Sequence, residues 1–297
     1  HSTTVAGVAN TWGYGAMTNS YNDIHNSKAI FIIGANPAEA HPVSLQHIFR
    51  GKERGAPVIV VDPRFSRTAA HADQFIRIRS GSDIPFVWGM LWHIFENGWE
   101  DKSFIEQRVY GMDEIRKEVA NWPPAEVEKV SGAKEADVYQ AAKTMAEHRP
   151  GTVIWCMGIT QHTVGNSNTR ALCILQLALG NMGVSGGGTN IFRGHDNVQG
   201  ATDFGVVSNS LPGYYGLAEG AWQHWARVWD VELDWLKQKF DQSKYEEIDG
   251  TAVSPMYTNG ITVSRWIDGV LEDKDSIDQN DAIKAMVLWG HAPNSQT

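Results

Sequence analysis

Cysteine is the scarcest chemically useful residue in this chain. Cys156 and Cys173 are the only two among 297 residues. Both sit in apolar surroundings, outside any CxxC or Cys/His zinc spacing, so they read as small buried hydrophobes. A metal site built from the chain's own cysteines is therefore excluded. Basic charge is also sparse: 25 Lys and Arg stand against 34 Asp and Glu, a net charge of −9. With no clustered Lys/Arg run, the chain is a poor candidate for binding nucleic acid. Long apolar runs are missing too. The longest, Ile84–Phe95, is too short and too interrupted to span a bilayer. The sequence starts at His1 with no Met and no signal peptide, and both ends look cut. We read it as a segment of a longer protein, so the missing targeting signal says nothing about location.

What is present is ordinary globular composition, 42% hydrophobic and 20% charged, with 29 Gly and 12 Trp. The length allows two domains or one large one. Glycine at that level suggests many places where backbone approaches something closely.

The organising stretch is KAIFIIGANPAEAHP, residues 28–42. Ala29–Ile33 reads as a strand with no polar face, covered on both sides as in a parallel sheet. It stops at Gly34 and turns through Asn36 and Pro37, delivering Asn36, Glu39 and His41 to the carboxyl edge. Ligands of open α/β sheets sit beyond such edges. Before it, residues 1–27 are rich in Gly, Thr and Asn, and Trp12–Asn19 reads as a loop or helix start. After it come a helix from about Pro42 to Arg54 and a second apolar strand, Pro57–Val61. That strand ends in Asp62-Pro63-Arg64, either a solvated turn or a nucleotide-facing acid and guanidinium. A short strand, Phe75–Ile78, leads to Gly81 and Asp83. Asp83 either caps the helix Ile84–Glu96 or meets the amide-like edge of a ligand.

Residues 98–148 read as short helices with charged outer faces and no chemistry. A new unit starts with the strand Thr152–Cys156 and its edge loop, Met157, Gly158 and on through Gln161 to His162. The helix Asn166–Met182 and the loop Gly183–Gly188 follow. The next run, Thr189–Gly200, packs Arg193, His195 and Asn197 around Gly194. Arg193 in that setting suits a clamp for a carboxylate or phosphate. From Ala201 on, the chain is Trp-rich, with a helix at Ile261–Leu271 and a final apolar element, Lys284–Trp289. This end echoes the opening stretch. Lys28-Ala29, Gly34 and Pro37 recur with identical spacing as Lys284-Ala285, Gly290 and Pro293. Either two α/β strands coincide by chance, or two strand–turn sites face the halves of a pseudo-symmetric ligand.

The motifs in combination resemble a known family. They are HSTTVAGVANTWGYGAMTN (1–19), GANPAEAHP (34–42), VDPRFSRTAA (61–70), RSGSD (79–83), GITQHTVGNSNTR (158–170), LGNMGVSGGG (179–188) and RGHDNVQG (193–200). The chain resembles the catalytic subunit of molybdenum- or tungsten-dependent formate dehydrogenase, in the bis-molybdopterin guanine dinucleotide (DMSO reductase) superfamily. The resemblance implies an α/β fold of mostly parallel, Rossmann-like sheets with flanking helices. It also implies parts of two related α/β domains, 1–195 and 196–297.

It further implies two-electron oxidation of formate to carbon dioxide, or the reverse, at a molybdenum or tungsten bis-pterin centre. The metal ligand would be a Cys or selenocysteine directly before His1, so the chain itself supplies none, and a 4Fe-4S cluster would lie upstream. His1 would relay a proton or hold ligand and substrate, and Arg193 would hold the carboxylate. Gly34, Asn36, Glu39, Asp62, Pro63, Arg64, Gly81 and Asp83 would contact one pterin dinucleotide. Met157, Gly158, Gln161, Gly194 and Asn197 would sit near the pterin and metal, and the turn with Gly290 and Pro293 would serve the second dinucleotide. An iron–sulfur subunit and a membrane cytochrome are the implied partners. His195 points to the exported, periplasmic branch, with a cytoplasmic enzyme as the alternative. Competing readings are another molybdopterin oxidoreductase, such as a nitrate reductase, and a non-catalytic nucleotide-binding scaffold.

Overall fold

The computed structural model describes residues 2–13, 15–195, 197–205, 210–216, 219–239, 247–248, 251–252, 266–277 and 282–288. It divides into two compact units, His1–Asp196 and Asn197–Thr297.

The first unit is built on a five-stranded sheet: β1 (Ala29–Ile33), β2 (Val58–Val61), β3 (Gln74–Ile76), β4 (Gly151–Trp155) and β5 (Thr189–Ile191). The strand order is β3-β2-β1-β4-β5, and every pairing is parallel. All five residues of β1 are buried, and the period of two sends them alternately into two cores. Ala29, Phe31 and Ile33 face one side with Val61, Trp155, Phe86, Met90, Leu172 and Leu175. Ile30 and Ile32 face the other with Val60, Ile154, Ile24, Ile48 and Phe192. Each such side chain contributes roughly 1.5–3 kcal/mol on burial. An all-apolar strand is therefore stable only in the middle of a sheet covered on both faces.

The flanking helices are α1 (Ser2–Trp12), α2 (Pro37–Ala40), α3 (Leu45–Glu53), α4 (Asp83–Glu96), α5 (Lys102–Arg108), α6 (Met112–Val119), α7 (Pro124–Ser131), α8 (Glu135–Glu147), α9 (Met157–Thr160) and α10 (Gly165–Ala178). Three details differ from the sequence reading. Residues 2–12, given no element in the sequence reading, form a helix. Helix α1 exists because it lies tightly on α10: a Cβ on Gly7 would come 1.9 Å from Thr169 Oγ1, and Val8 is fully buried. Tertiary contact here overrides weak propensity. The helix expected from about Pro42 to Arg54 opens as a 3-10 turn, Pro42–Ser44, that runs directly into α3, and a short helix not expected from the sequence, α2, precedes it. Thr189–Ile191, placed in a polar run and given no strand in the sequence reading, is the edge strand β5. Part of its polar surface is matched inside the fold, Asn190 Nδ2 donating to Thr152 Oγ1 (2.6 Å) and Thr189 N to Thr18 Oγ1 (2.8 Å), while Thr189 Oγ1 and Asn190 Oδ1 are buried without a hydrogen-bond partner.

A buried amide network ties α10 to the amino ends of β4 and β5. Gln176 Nε2 donates to the carbonyls of Gly151 (3.0 Å) and Gly188, and Gln176 Oε1 accepts from Asn181 Nδ2 (2.9 Å). Asn181 Oδ1 in turn accepts from Gly151 N (3.2 Å). Gln176→Leu removes three buried hydrogen bonds while nearly keeping volume, so it should cost about 2–4 kcal/mol. Urea unfolding of the isosteric pair, wild type and Q176L, measures this.

The second unit contains α11 (Val198–Asp203), α12 (Glu219–Trp229), α13 (Leu233–Lys239), α14 (Trp266–Leu271) and two short antiparallel strand pairs, Ser210–Leu211 with Tyr215–Gly216 and Glu247–Ile248 with Thr251–Ala252. A small core joins Leu211, Ala221, Trp222, Ala226 and Leu236. The expected strand at Lys284–Trp289 does not appear over its described part. Residues 284–288 have no regular structure, and Val287 and Leu288 are exposed. A strand persists only with a neighbour to complete its hydrogen bonds, and among the described residues none pairs with it. No helix among the described residues is long and apolar enough to cross a membrane.

Candidate functional site

The sheet has one switch point, between β1 and β4, where successive connections leave in opposite directions. Crevices at such points, outside the carboxyl ends of the strands, are where open α/β sheets bind ligands. Here the crevice is floored by two glycines in backbone contact. Gly34 ends β1 with φ +58°, and Gly158 N donates to Gly34 O (3.0 Å). A Cβ on Gly158 would fall 2.5 Å from Gly34 O, and one on Gly34 would fall 2.8 Å from Gly158 C and Ile159 N. No side chain fits at either position.

The ends of all five strands deliver polar groups around this floor. After β1, Asn36 precedes α2, and its Oδ1 accepts from Thr68 Oγ1 (2.7 Å). Thr68 Oγ1 also accepts from Ala38 N (3.0 Å). Glu39 lies near Arg64 (3.5 Å) and Arg67 (3.9 Å). These pairs are exposed and contribute little to stability. After β2, Asp62 Oδ1 accepts from Arg64 N (2.8 Å), with Pro63 exposed between them. Burial pushes the Asp62 carboxyl up, against the opposing pull of Arg64.

After β3, Gly81 takes φ +82° with open space around it, and Asp83 opens α4. Asp83 is only 6% exposed. It is not the helix cap; Ser82 holds that position, and no side chain caps the helix. Asp83 Oδ2 is buried with no hydrogen-bond partner. Its closest counter-group is His162 Nε2 at 3.9 Å, which also lies 2.8 Å from Gly158 O. Burial raises the Asp83 pKa, His162 opposes the shift and neighbouring Asp62 adds to it.

After β4, Met157 and Gly158 begin the one-turn helix α9, and Gln161 is exposed at its end. After β5, Arg193 is half-buried, and a Cβ on Gly194 would sit 2.9 Å from Met157 Cγ. The amino end of α1 joins the same edge. Thr4 Oγ1 lies 2.6 Å from Thr160 Oγ1 and accepts from Trp155 Nε1 (3.3 Å).

The sequence-nominated residues Gly34, Asn36, Glu39, Asp62, Pro63, Arg64, Gly81, Asp83, Met157, Gly158, Gln161, Arg193 and Gly194 thus share the carboxyl edge of one sheet. Asn197 belongs to the second unit, where it takes φ 49° and caps α11 by accepting from Gly200 N (3.2 Å). His1, Gly290 and Pro293 lie outside the described residues. Sequence reasoning did not assign Thr68, Arg67 or His162. Each lies in a stretch already singled out, but its partner is a separate strand end.

A family model described as molybdopterin oxidoreductase matches residues 3–295. The chain belongs to the molybdopterin oxidoreductase family. Family members similar to it include formate dehydrogenase H of Escherichia coli, 37% identical over 78% of this chain and 33% of that protein. Another is the formate dehydrogenase major subunit of Haemophilus influenzae, 37% identical over 73% of this chain and 27% of that protein. The chain spans about a third of the length of the curated relatives it matches. Among solved structures, acetylene hydratase from Pelobacter acetylenicus aligns with a TM-score of 0.56 at 27% identity, over 61% of this chain and 24% of that one.

The family implies a molybdopterin cofactor with its metal, and the edge residues fit a ligand that brings hydrogen-bond donors. A buried carboxylate oxygen without a donor is costly, and Asp83 Oδ2 is one. A ligand edge that presents N–H groups would satisfy it. A pH experiment checks this. Because the native Asp83 pKa lies above the unfolded value, the native state binds the proton more tightly. The contribution of Asp83 is most favourable below the unfolded carboxyl pKa of about 3.9 and declines as pH rises towards the native value. Cofactor-free Asp83→Asn should therefore melt higher than wild type near neutral pH. The gap should close as the medium is acidified below the carboxylate range. A neutral-pH Tm at or below wild type would remove Asp83 from the strained-acid role.

Proposed function

We propose that this chain is the cofactor-binding part of a formate dehydrogenase catalytic subunit, converting formate to carbon dioxide or the reverse at a bis-molybdopterin guanine dinucleotide centre with molybdenum or tungsten. The observation that carries the reading is Arg193. A half-buried guanidinium stands at the carboxyl edge of β5, in a chain whose relatives are named formate dehydrogenases across more than 70% of its length. A planar two-donor fork matches a two-oxygen anion.

In this reading Asp83 and Asp62 accept from the guanine and ribose of one dinucleotide. Gly34 and Gly158 let its phosphates and pterin approach the backbone, and Asn36 is held for it by Thr68. Met157, Gln161 and Gly194 shape the pocket beside Arg193. Asn197 and the echoed turn from Gly290 to Pro293 serve the remaining cofactor surface, as the second unit's share. The bound cofactor supplies the two-electron chemistry. Arg193 orients the carboxylate. His1 accepts or relays the proton, or holds the metal ligand and substrate in position. Upstream 4Fe-4S chemistry, an iron–sulfur partner subunit and a periplasmic, membrane-associated complex complete the proposal. A substrate panel on the holoenzyme tests it: formate should be turned over, and nitrate and thiosulfate should not. Nitrate turnover without formate turnover would replace this reading with the nitrate reductase one.

A further inference from the structure

The geometry points to His41 as a positioning residue for Arg193, acting through the Arg193 backbone. His41 Nε2 lies 2.5 Å from Arg193 O. A carbonyl oxygen only accepts, so this nitrogen carries the proton and donates.

The bond is unusual in where it runs. His41 belongs to the turn after β1, and Arg193 to the turn after β5. These strands are not neighbours, because β4 lies between them in the sheet. His41 therefore reaches across the end of β4, over the switch-point crevice. Its own backbone is fixed at both ends: His41 N donates to Pro37 O (2.9 Å), and His41 O accepts from Ser44 Oγ (2.7 Å). Its ring is 5.5 Å from that of Phe192, which is fully buried.

The backbone around Arg193 is thus held at three successive residues. Phe192 N donates to Trp155 O (2.9 Å). Arg193 O accepts from His41. Gly194 has the Met157 side chain directly against it. Two of these holds orient the residues on either side of Arg193, and the His41 bond acts on Arg193's own carbonyl. Losing it would leave the 193–194 peptide, and with it the guanidinium root, less tightly held. Misplacement of a positioning group by a fraction of an ångström to an ångström is enough to lose rate and affinity.

This role rests on the reading of Arg193 as the formate clamp, and the test separates the two. In the holoenzyme, compare His41→Phe, which keeps an aromatic ring against Phe192 but has no donor, with His41→Gln, which restores one. Measure KM for formate, the inhibition constant of azide as a non-reacting triatomic anion, and kcat per bound metal. His41→Phe should raise KM and the azide constant together by about tenfold, the weight of one hydrogen bond. His41→Gln should recover most of that loss. Kinetic constants normalised to bound metal remain readable even if loading falls. Unchanged KM and azide constant in His41→Phe, or equal defects in Phe and Gln variants, overturn the role of His41. If Arg193→Ala also keeps the wild-type KM, the clamp reading itself fails. If Arg193→Ala loses formate binding while His41→Phe does not, only the present inference fails.

Discussion

Arg193→Ala should lower kcat/KM for formate by about a thousandfold, the loss expected for two charge-assisted hydrogen bonds to one anion. Metal and pterin content should stay near wild type, because Arg193 sits beyond the β5 end while the groups proposed to face the nucleotide lie on the β1, β2 and β3 ends. Arg193→Lys should recover only part of the loss. An ammonium keeps the charge but has no planar fork, so it meets one oxygen well and the second poorly. Steady-state kinetics with formate, alongside metal and pterin analysis of the same samples, reads both halves. Cofactor loss in parallel with activity loss would move Arg193 from substrate to scaffold.

The second large effect belongs to Gly158. An alanine there places its Cβ 2.5–2.8 Å from three backbone atoms of Gly34. Those atoms end a strand paired on both edges, to β2 and β4, and cannot move aside without breaking the register. Overpacking against fixed backbone should cost about 3 kcal/mol or more, with a Tm drop on the order of 10 °C. Because the same contact floors the crevice, the variant should also purify with little bound pterin. Thermal denaturation and pterin fluorescence test both. Gly132→Ala is the matched control: Gly132 has φ +74° but no contact tighter than 3.6 Å, so it carries backbone strain without the wedge. It should lose stability yet load cofactor normally.

How much of this was readable from the chain follows from the physics of each piece. β1 was legible because five consecutive apolar residues can be buried on both faces only in the centre of a parallel sheet. Among its carboxyl-edge partners, Asp62 and Asp83 were legible because each follows an apolar strand, and Arg193 because it stands in a polar, Gly-flanked run. Helix α1 was not legible. Its Gly, Thr and Asn content disfavours a helix, and only the tight crossing at Gly7 against Thr169 makes one. β5 was missed because Thr189 and Asn190 are polar residues buried in a strand, anchored across the fold by bonds from Thr189 N to Thr18 and from Asn190 Nδ2 to Thr152, which local pattern cannot show. The same holds within the site. Asn36 was nominated, but Thr68, which grips it from 32 residues away, was not. Asp83 was nominated, but not His162 beside it. The echo at Lys284 shows the opposite error. Residues with the spacing of β1 form no strand over 284–288, since a pattern of apolar residues specifies burial but does not provide the neighbouring strand.

Conversion of isotopically labelled formate by the purified holoenzyme, with a viologen dye as acceptor, tests the central claim most directly. The account predicts one labelled carbon dioxide for every two electrons delivered, with turnover lost in Arg193→Ala at unchanged cofactor content. Full cofactor loading without labelled carbon dioxide, or wild-type conversion by Arg193→Ala, would contradict it.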